Sequence, residues 1–418
     1  MASADSAANV APFPGHARPR AGLVLTGGGA RAAYQVGVIK AVRDILGSPA
    51  KNPFPILCGT SAGAINAALL AAQADDFNAA VATLLERWEH MRCSKIYRTD
   101  SWSIVKSGAR WLSSMMLVSR RNPVSLLDNS PLRQTLQGSL AFERIQQNID
   151  SGALYAVCVT ASGYTSGQSV SFFQGGSGLE GWERNQRIGA AVSMQLDYLL
   201  ASSALPFIFP AVKVHREYFG DGSMRQIAPV SPALHLGASR ILVIGTARVR
   251  DDAPQRTRGD LYPTLAQVAG LVMNSIFLDG LAVDVERLER INRTISCVEP
   301  QQLRRMGLTL HHVDVLVLTP SQALDAIAVK HVGSLPSSIR FLMRSVGAMR
   351  RGGANLASYL LFERGYCNEL IDLGYRDTLA RRDKVAAFLG AASEARAEST
   401  RSPRAATSAV EAAGRTAA

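Results

Sequence analysis

The chain has 418 residues, of which 47% are hydrophobic and 6% aromatic. This length and balance indicate a globular protein with a sizeable buried core, and they exclude a fibrous or wholly disordered chain. The formal net charge of +12 favours acidic partners, either nucleic acid or an anionic lipid surface.

The five cysteines are odd in number and widely separated, and no C-x-x-C pair occurs among them. This spacing supports neither a disulfide framework nor a zinc site, so we expect reduced thiols and neither a metal nor an organic cofactor. No apolar run reaches about 18 residues, and the N-terminus lacks a charged start followed by an apolar core. We therefore expect a cytoplasmic protein without a membrane-spanning helix.

Two strand–turn–helix units open the chain. AGLVL, beginning at Ala21, predicts a strand that enters a glycine turn, and the amphipathic stretch RAAYQVGVIKAVRDIL predicts a helix after it. FPILC predicts a second strand, and AGAINAALLAAQ a second helix. Val/Leu/Ile runs at 153–162, 240–246 and 313–321 predict further strands, buried on both faces. This order predicts an α/β fold with a central, mostly parallel sheet sandwiched by helices.

Composition divides the chain into four segments. Residues 1–20 and 391–418 are rich in small and polar residues, which predicts disordered tails. Residues 21–247 hold the strand–turn–helix units and three motifs that could carry chemistry. Residues 248–390 are predicted to continue the fold as a helical C-terminal extension with one further strand.

The second predicted strand enters its helix through a tight turn of small residues. Gly59-Thr60-Ser61-Ala62-Gly63 fits the G-x-S-x-G pattern, in which a sharp strand-to-helix turn exposes the serine hydroxyl. The glycines permit the turn, and the N–H groups at the start of the helix point at any oxyanion formed there. We predict that Ser61 is a nucleophile; the alternative is a turn that is merely tight.

Three consecutive glycines, Gly27, Gly28 and Gly29, separate the first predicted strand from its helix. They fit neither the dinucleotide-binding nor the P-loop pattern, so nucleotide binding is a poor match. A turn that needs positive φ explains one glycine comfortably, but not three. We predict an oxyanion hole in which the three amides donate hydrogen bonds and Arg31 adds a fixed positive charge.

The third motif places Asp221 between two glycines, after the extended-looking run AVKVHREYF. In isolation, an aspartate followed by a glycine such as Gly222 indicates a turn. Asp221 becomes a catalytic candidate only because it follows the two other motifs along the chain. Ser223, which comes next, is expected to add a hydrogen bond near Asp221.

Taken in order, GGG-x-R, G-x-S-x-G and D-G resemble the signature of the patatin-like phospholipases, and DGSMRQIAPVSPALHLGASRILVIGT is especially similar to bacterial members. The proline-containing stretch ASSALPFIFPAV at 201–212 adds a fourth similar block. The resemblance covers about 21–247 and implies a catalytic domain there. Two positions depart from the family: Ala32 stands where glycine is usual, and Ser223 where glycine or alanine is usual.

The resemblance implies a lipid acyl hydrolase that cleaves acyl esters of phospholipids or lysophospholipids. Its mechanism would use a Ser–Asp dyad: Ser61 attacks the ester carbonyl, Asp221 accepts the serine proton, and an acyl-enzyme forms. The glycine loop with Arg31 would stabilise the oxyanion. No cofactor is implied.

Three alternatives remain open on the sequence. A non-catalytic lipid- or anion-binding protein could keep the same fold. A Ser–His–Asp esterase of small soluble esters would need a histidine after Asp221, and four histidines satisfy that order: His235, His311, His312 and His331. His235 is flanked by leucines and is expected to belong to a packed helix instead. Neutral lipid esters are a further substrate class.

Two basic amphipathic segments are candidates for contact with an anionic membrane. The segment from Trp102 to Met116 places apolar residues on one helical face and Lys106 and Arg110 on another, and 338–354 combines four arginines with Phe341. Each segment could equally be a helix packed on the core, and 338–354 alone could bind nucleic acid. Because the motifs indicate lipid chemistry, we expect peripheral membrane contact and no nucleic acid.

Overall fold

The computed structural model describes residues 20–100, 102, 125–248 and 264–390, apart from 307, 309, 346 and 350–352. The predicted tails, except Arg20, lie outside the described residues, as does most of the amphipathic segment after Trp102. Within the described residues, ten strands form one sheet. They are β1 (Arg20–Leu25), β2 (Ile56–Thr60), β3 (Ala156–Gly163), β4 (Ser169–Gly175), β5 (Trp182–Arg184), β6 (Arg187–Ala191), β7 (Val212–Val214), β8 (Glu217–Asp221), β9 (Ala238–Ile244) and β10 (Asp314–Leu318).

The sheet order is β10-β9-β1-β2-β3-β4-β6-β5, and β8 pairs with both β3 and β7. The five strands from β10 to β3 are parallel, with Val24 opposite Cys58 and Cys58 opposite Cys158. Beyond β3 the pairing is antiparallel, except between β4 and β6. The predicted mostly parallel sheet is confirmed, and the antiparallel half is an addition to it.

Thirteen labelled helices flank these strands in the described part of the chain. They are α1 (Ala33–Ile45), α2 (Ala62–Ala72), α3 (Phe77–Glu89), α4 (Ser130–Gln137), α5 (Glu143–Asp150), α6 (Leu196–Ser202), α7 (Ser231–His235), α8 (Leu265–Ser296), α9 (Pro300–Arg305), α10 (Leu324–His331), α11 (Ser337–Ser345), α12 (Ala354–Leu360) and α13 (Arg364–Leu379). Residues 382–390 are also helical.

Helices cover both faces of the sheet because both faces are apolar. On β1, Leu23 and Leu25 belong to the core that includes α1, α2 and α13, whereas Val24 belongs to a second core that includes α7 and α8. This alternation follows from the period of two along a strand, which sends neighbouring side chains to opposite faces. The predicted sandwich of helices around the sheet is therefore confirmed.

The C-terminal region is built into this fold. Strand β10 pairs with β9 and so extends the same sheet. Helix α13 packs along α1, where Tyr34 Oη donates to Asp377 at 3.2 Å and Tyr375 Oη donates to Asp44 at 3.1 Å. The helical C-terminal region that the sequence predicts is present, and it brings α12 against the glycine loop after β1.

Helix α8 is the one helix in the described residues that is long and apolar enough to span a membrane by length and composition. Its residues 266–296 include a window of 18 residues with a mean hydropathy of 1.6, of which 14% is buried. Polar contacts hold the helix on the protein: Asp284 accepts from the Val230 amide at 2.9 Å, and Asn292 Nδ2 donates to Val313 O at 2.8 Å. Helix α8 thus shares length and composition with a membrane span, and in this structure it packs on the sheet.

Candidate active site

Ser61 lies in the turn between β2 and α2, with φ of 56° and ψ of −128°. Few residues other than glycine adopt positive φ, and such strain costs about 1–3 kcal/mol. The turn is so tight that a Cβ atom on Gly59 would meet Gly63 O. Two further hydrogen bonds hold the turn: the Ser61 amide donates to Ser202 Oγ at 2.8 Å, and Thr60 Oγ1 donates to Gln226 Oε1 at 2.6 Å.

Asp221 ends β8, where it lies opposite Ala161 of β3. Its amide donates to Ala204 O at 2.9 Å, and its Oδ1 accepts from the Ser223 amide, also at 2.9 Å. Its Oδ2 is buried and has no hydrogen-bond partner in the described part of the chain. The expected hydrogen bond from residue 223 is therefore present, but it comes from the main chain, because Ser223 Oγ is itself buried without a partner.

The protein raises the pKa of the Asp221 carboxyl to about 6. Complete burial is the main cause, because it disfavours the charged form, and hydrogen bonding from Ser61 and Ser223 partly opposes it. The Ser61 hydroxyl is thus close enough to lower the pKa of Asp221, although it makes no hydrogen bond of regular geometry with Oδ2. A carboxylate with a pKa near 6 is a stronger base than an ordinary aspartate, and it is still ionised at neutral pH.

The glycine loop lies between β1 and α1 and continues into a short 3-10 helix, Gly29–Ala32. Gly29 has φ of 55°, and a Cβ atom there would collide with Tyr359 O of α12. The Gly27 and Gly28 amides donate to no acceptor among the residues that the structure describes. Ala32 is fully buried without strain at its own backbone, so this departure from the family pattern fits the loop.

Arg31 is 3% exposed and lies beneath the loop. All its side-chain hydrogen bonds run to the C-terminal helices, to Asn274 of α8 and to Asn355, Ser358 and Tyr359 of α12. The structure thus places the predicted positive charge of Arg31 beneath the loop, with the hydrogen bonds of its guanidinium directed to these helices.

Ser61 lies at an apolar cleft that is partly open to solvent. Gly29 and Ala62 also line the cleft, and Arg87 and Lys95 add two basic side chains. Its apolar lining includes Leu69, Trp88, Ile96, Leu136, Phe209 and Phe362. An apolar lining of this kind suits a hydrocarbon chain, which apolar contact stabilises.

No histidine lines this cleft in the part of the chain that the structure describes. His235 stacks on Trp182 with ring centroids 4.7 Å apart, and burial lowers the pKa of His235 to about 4. His312 pairs with Asp314 at 3.5 Å, and His331 with Glu369 at 2.7 Å. The prediction that His235 belongs to a packed helix is confirmed, and these contacts give no support to a Ser–His–Asp triad.

Sequence reasoning did not single out Ser202 or Gln226. Ser202 Oγ accepts from the Ser61 amide and donates to Thr160 O at 2.6 Å. Gln226 accepts from Thr60 and donates to Thr160 Oγ1 at 3.3 Å. Both residues fall in or beside quoted motifs, the proline-containing stretch and the D-G motif, but their partners are set by how distant segments meet.

A comparison with known protein families adds a finding that does not depend on this geometry. The family model described as patatin-like phospholipase matches residues 23–234, just over half of the chain. The chain belongs to the patatin-like phospholipase family. That family takes its name from phospholipases, and the chain has the α/β fold described above.

Three curated proteins are similar in sequence. A cGAMP-activated phospholipase of Pseudomonas aeruginosa is 27% identical over 237 residues, which are 54% of this chain and 62% of that protein. A cUMP-AMP-activated phospholipase of Escherichia coli is 49% identical over 49 residues, 12% of this chain and 15% of that protein. Lysophospholipase nte1 of Aspergillus terreus is 56% identical over 54 residues, 13% of this chain and 3% of that protein. The matched region thus spans less than two thirds of each relative.

Solved structures with a similar fold are more distant. Human GIVD cytosolic phospholipase A2, in complex with methyl γ-linolenyl fluorophosphonate, is 12% identical with a TM-score of 0.38, over 91% of this chain and 59% of that one. VipD of Legionella pneumophila is 13% identical with a TM-score of 0.29, over 84% and 67%. Likeness at this level carries no argument about function.

Proposed function

We propose that the protein hydrolyses acyl esters of phospholipids or lysophospholipids through a dyad of Ser61 and Asp221 and an acyl-enzyme. One observation carries the proposal. A serine at positive φ, next to a fully buried aspartate with an unpartnered carboxylate oxygen, lies at an apolar cleft. A binding protein needs neither the strained serine nor a buried carboxylate with one oxygen left without a partner, whereas a nucleophile with a general base uses both.

In the first half of the reaction, Ser61 Oγ attacks the ester carbonyl and Asp221 takes up its proton. The tetrahedral intermediate collapses to the acyl-enzyme, and the leaving alcohol receives that proton from Asp221. In the second half, water attacks the acyl-enzyme while Asp221 accepts a proton from the water. The fatty acid then leaves, and the proton returns to Ser61 Oγ.

The negative charge on the carbonyl oxygen needs donors that are already in position. The Gly27 and Gly28 amides have no other acceptor in the described residues, and Gly29 lines the cleft beside Ser61. The first turn of α2 adds N–H groups at Ala62 and Gly63, with the positive end of the helix dipole. We assign the oxyanion hole to these main-chain amides, where loss of one donor costs about 10²–10³ in rate.

The direct test is product analysis by mass spectrometry. Vesicles of phosphatidylglycerol and phosphatidylcholine, lysophosphatidylcholine micelles, a triacylglycerol emulsion and a soluble short-chain ester would each be incubated with the protein. Each incubation would be run with and without cGAMP, because a relative bears that name as an activator. Free fatty acid with lysophospholipid or a glycerophospho-alcohol is expected. Turnover of the soluble ester alone would favour a simple esterase, and binding without turnover a lipid-binding protein.

We also propose that three exposed aromatic residues contact an anionic membrane, one of them beside the cleft. Phe207 is 79% exposed at φ of 65°, within a turn whose neighbours Leu205 and Phe209 line the cleft. Phe341 and Trp102 are 75% and 76% exposed. A large apolar side chain in water is unfavourably hydrated, and insertion into lipid would remove that side chain from water.

Helix α11 carries an exposed aromatic residue and basic residues, the combination expected of a helix that faces a membrane. On α11, Ile339 and Met343 are buried, so the helix packs on the protein and turns Phe341 outward. Arg340 and Arg344 lie on the same helix. Ser338 Oγ donates to Thr99 O at 2.5 Å and so ties α11 to the segment that carries Trp102. Basic residues beside exposed aromatic ones suit an anionic lipid surface.

We expect Phe207→Asn to lower hydrolysis of phosphatidylglycerol vesicles about tenfold, because the mutant loses one inserted aromatic ring. Asparagine tolerates positive φ, so the backbone turn is kept. Hydrolysis of a soluble short-chain ester should stay unchanged, since Ser61 and Asp221 are untouched. Met306→Ser serves as the control, because Met306 is 66% exposed and does not line the cleft. Equal loss on vesicles and on the soluble ester would contradict the membrane role.

A further inference from the structure

The five side-chain N–H groups of Arg31 are all used within the protein. Nε donates to Ser358 Oγ at 2.8 Å, and Nη1 donates to Tyr359 Oη at 3.1 Å and to Asn274 Oδ1 at 3.3 Å. Nη2 donates to the side-chain and main-chain oxygens of Asn355. An arginine has five such donors in a rigid fork, so this set saturates the guanidinium.

The residues around Arg31 also join helices α8 and α12 to each other. Tyr359 Oη donates to Asn274 Oδ1 at 3.0 Å, and Asn355 Nδ2 donates to Gly270 O at 2.9 Å. The guanidinium carbon lies 4.0 Å from the centre of the Tyr359 ring, as in a cation–π contact. Arg31 therefore sits at the point where the loop, α8 and α12 meet.

A second contact fixes the glycine loop against α12. Gly29 packs so closely on Tyr359 O that a Cβ atom would not fit. Gly29 and Arg31 thus contact one residue of α12 from two sides, through the main chain and through the side chain. A shift of α12 would move the amides of the glycine loop, and a shift of the loop would break the hydrogen bonds of Arg31.

No carboxylate forms an ion pair with Arg31 among the residues that the structure describes. Its acceptors are hydroxyl, amide and main-chain oxygens. Such neutral acceptors depend on geometry more than a carboxylate does, because each bond requires a particular direction. The cluster is therefore suited to fixing a position.

We propose that Arg31 is a positioning residue. It fastens the glycine loop to α8 and α12, so that the main-chain amides stay aimed at the reacting carbonyl oxygen, and it does not bind that oxygen. This inference rests on the proposed acyl hydrolase function. It predicts that the losses of kcat on removing Arg31 and on removing its acceptors are not additive, because neither holds the loop without the other.

A double-mutant cycle on a soluble short-chain ester tests this inference. Its three variants are Arg31→Met, the acceptor-deleted variant Ser358→Ala/Tyr359→Phe, and their combination. We expect kcat to fall about 10² in Arg31→Met, because misplacement of about 1 Å costs that much. The acceptor-deleted variant should lose about tenfold, and the combination no more than Arg31→Met alone. KM should stay within about twofold throughout, since the cleft is unchanged.

Arg31→Lys separates position from charge. A lysine keeps the positive charge but cannot reproduce the five-donor fork, so kcat should stay near that of Arg31→Met. Arg20→Met is the matched control. Arg20 begins β1 and, like Arg31, stacks on a tyrosine, with its guanidinium carbon 3.7 Å from the Tyr155 ring centre. Its loss should leave kcat unchanged. Thermal melting of every variant shows that the chains compared are folded.

The inference is overturned if the acceptor-deleted variant keeps wild-type kcat while Arg31→Met is slow, because Arg31 would then act without its partners. Losses that multiply in the combined variant, or recovery of kcat by Arg31→Lys, overturn it as well. If the wild-type protein lacks turnover, the proposed function has failed first. The same variants are then compared by the rate at which a fluorophosphonate probe labels Ser61, because that rate also depends on the oxyanion amides.

Discussion

Replacing Ser61 with alanine is expected to abolish both lipid hydrolysis and labelling by a fluorophosphonate probe. The mutation removes only the hydroxyl group of Ser61. Two hydrogen bonds hold the turn that carries this residue, and Ser61 keeps a strained φ of 56° there. Loss of the nucleophile in a serine hydrolase costs roughly 10⁴-fold or more in rate, since only binding and oxyanion stabilisation remain. Rates would be measured by fatty acid release, and labelling by gel fluorescence.

A second serine offers a matched control. Ser48 has the same φ of 56° but lies on the surface after α1. Ser48→Ala should therefore keep full labelling and full turnover. Labelling that persists in Ser61→Ala, or disappears in Ser48→Ala, would contradict the assignment of the nucleophile. Folding of Ser61→Ala would be checked by its melting temperature.

Replacing Asp221 with asparagine is expected to lower kcat about 10³–10⁴-fold and to stabilise the folded protein at neutral pH. The activity falls because an amide cannot accept the serine proton. Stability rises because Asp221 is fully buried with its Oδ2 unpartnered, so ionisation is unfavourable in the folded state. The difference between a pKa of about 6 in the fold and about 4 in the unfolded chain corresponds to up to about 3 kcal/mol.

The pH dependence of both quantities follows from the same raised pKa. The folded state binds the proton of Asp221 more tightly than the unfolded chain, so this residue favours folding while it is protonated. Its contribution is present below about pH 4 and is lost as the pH rises through about 6. The stability gain of Asp221→Asn should therefore vanish below about pH 4. Turnover by the wild type should decline about tenfold per pH unit below about pH 6.

Asp284 provides the control for burial. Burial also raises the pKa of its carboxyl, but its Oδ2 accepts from the Val230 amide at 2.9 Å, and it does not line the cleft. Asp284→Asn should change stability and leave kcat within about twofold. An Asp221→Asn variant that keeps more than a tenth of wild-type activity would remove Asp221 from the role of general base. Stability would be measured by urea unfolding from about pH 3 to about pH 8, which spans both pKa values.

The parallel half of the sheet was predictable because its signals are local. Short runs of Val, Leu and Ile predict β1, β2, β3, β9 and β10. Strands β4 to β6, which lie beyond β3 in the sheet, were not predicted. They contain serine, glycine and arginine, and they become strands by pairing with β3 and with one another. Whether such a segment becomes a strand depends on the strands beside it, which are distant in sequence and are not specified by a local pattern.

The sequence by itself determined which residues could do chemistry and in what order: a glycine loop, a serine in a strand-to-helix turn, and an aspartate before a glycine. Those features are local, because turn geometry and helix starts are set by a few adjacent residues. Only the tertiary structure decided that Asp221 is buried beside Ser61 with a raised pKa, and that Arg31 donates to α8 and α12. Burial and hydrogen-bond partners depend on which distant elements pack together, and a local pattern does not encode that packing.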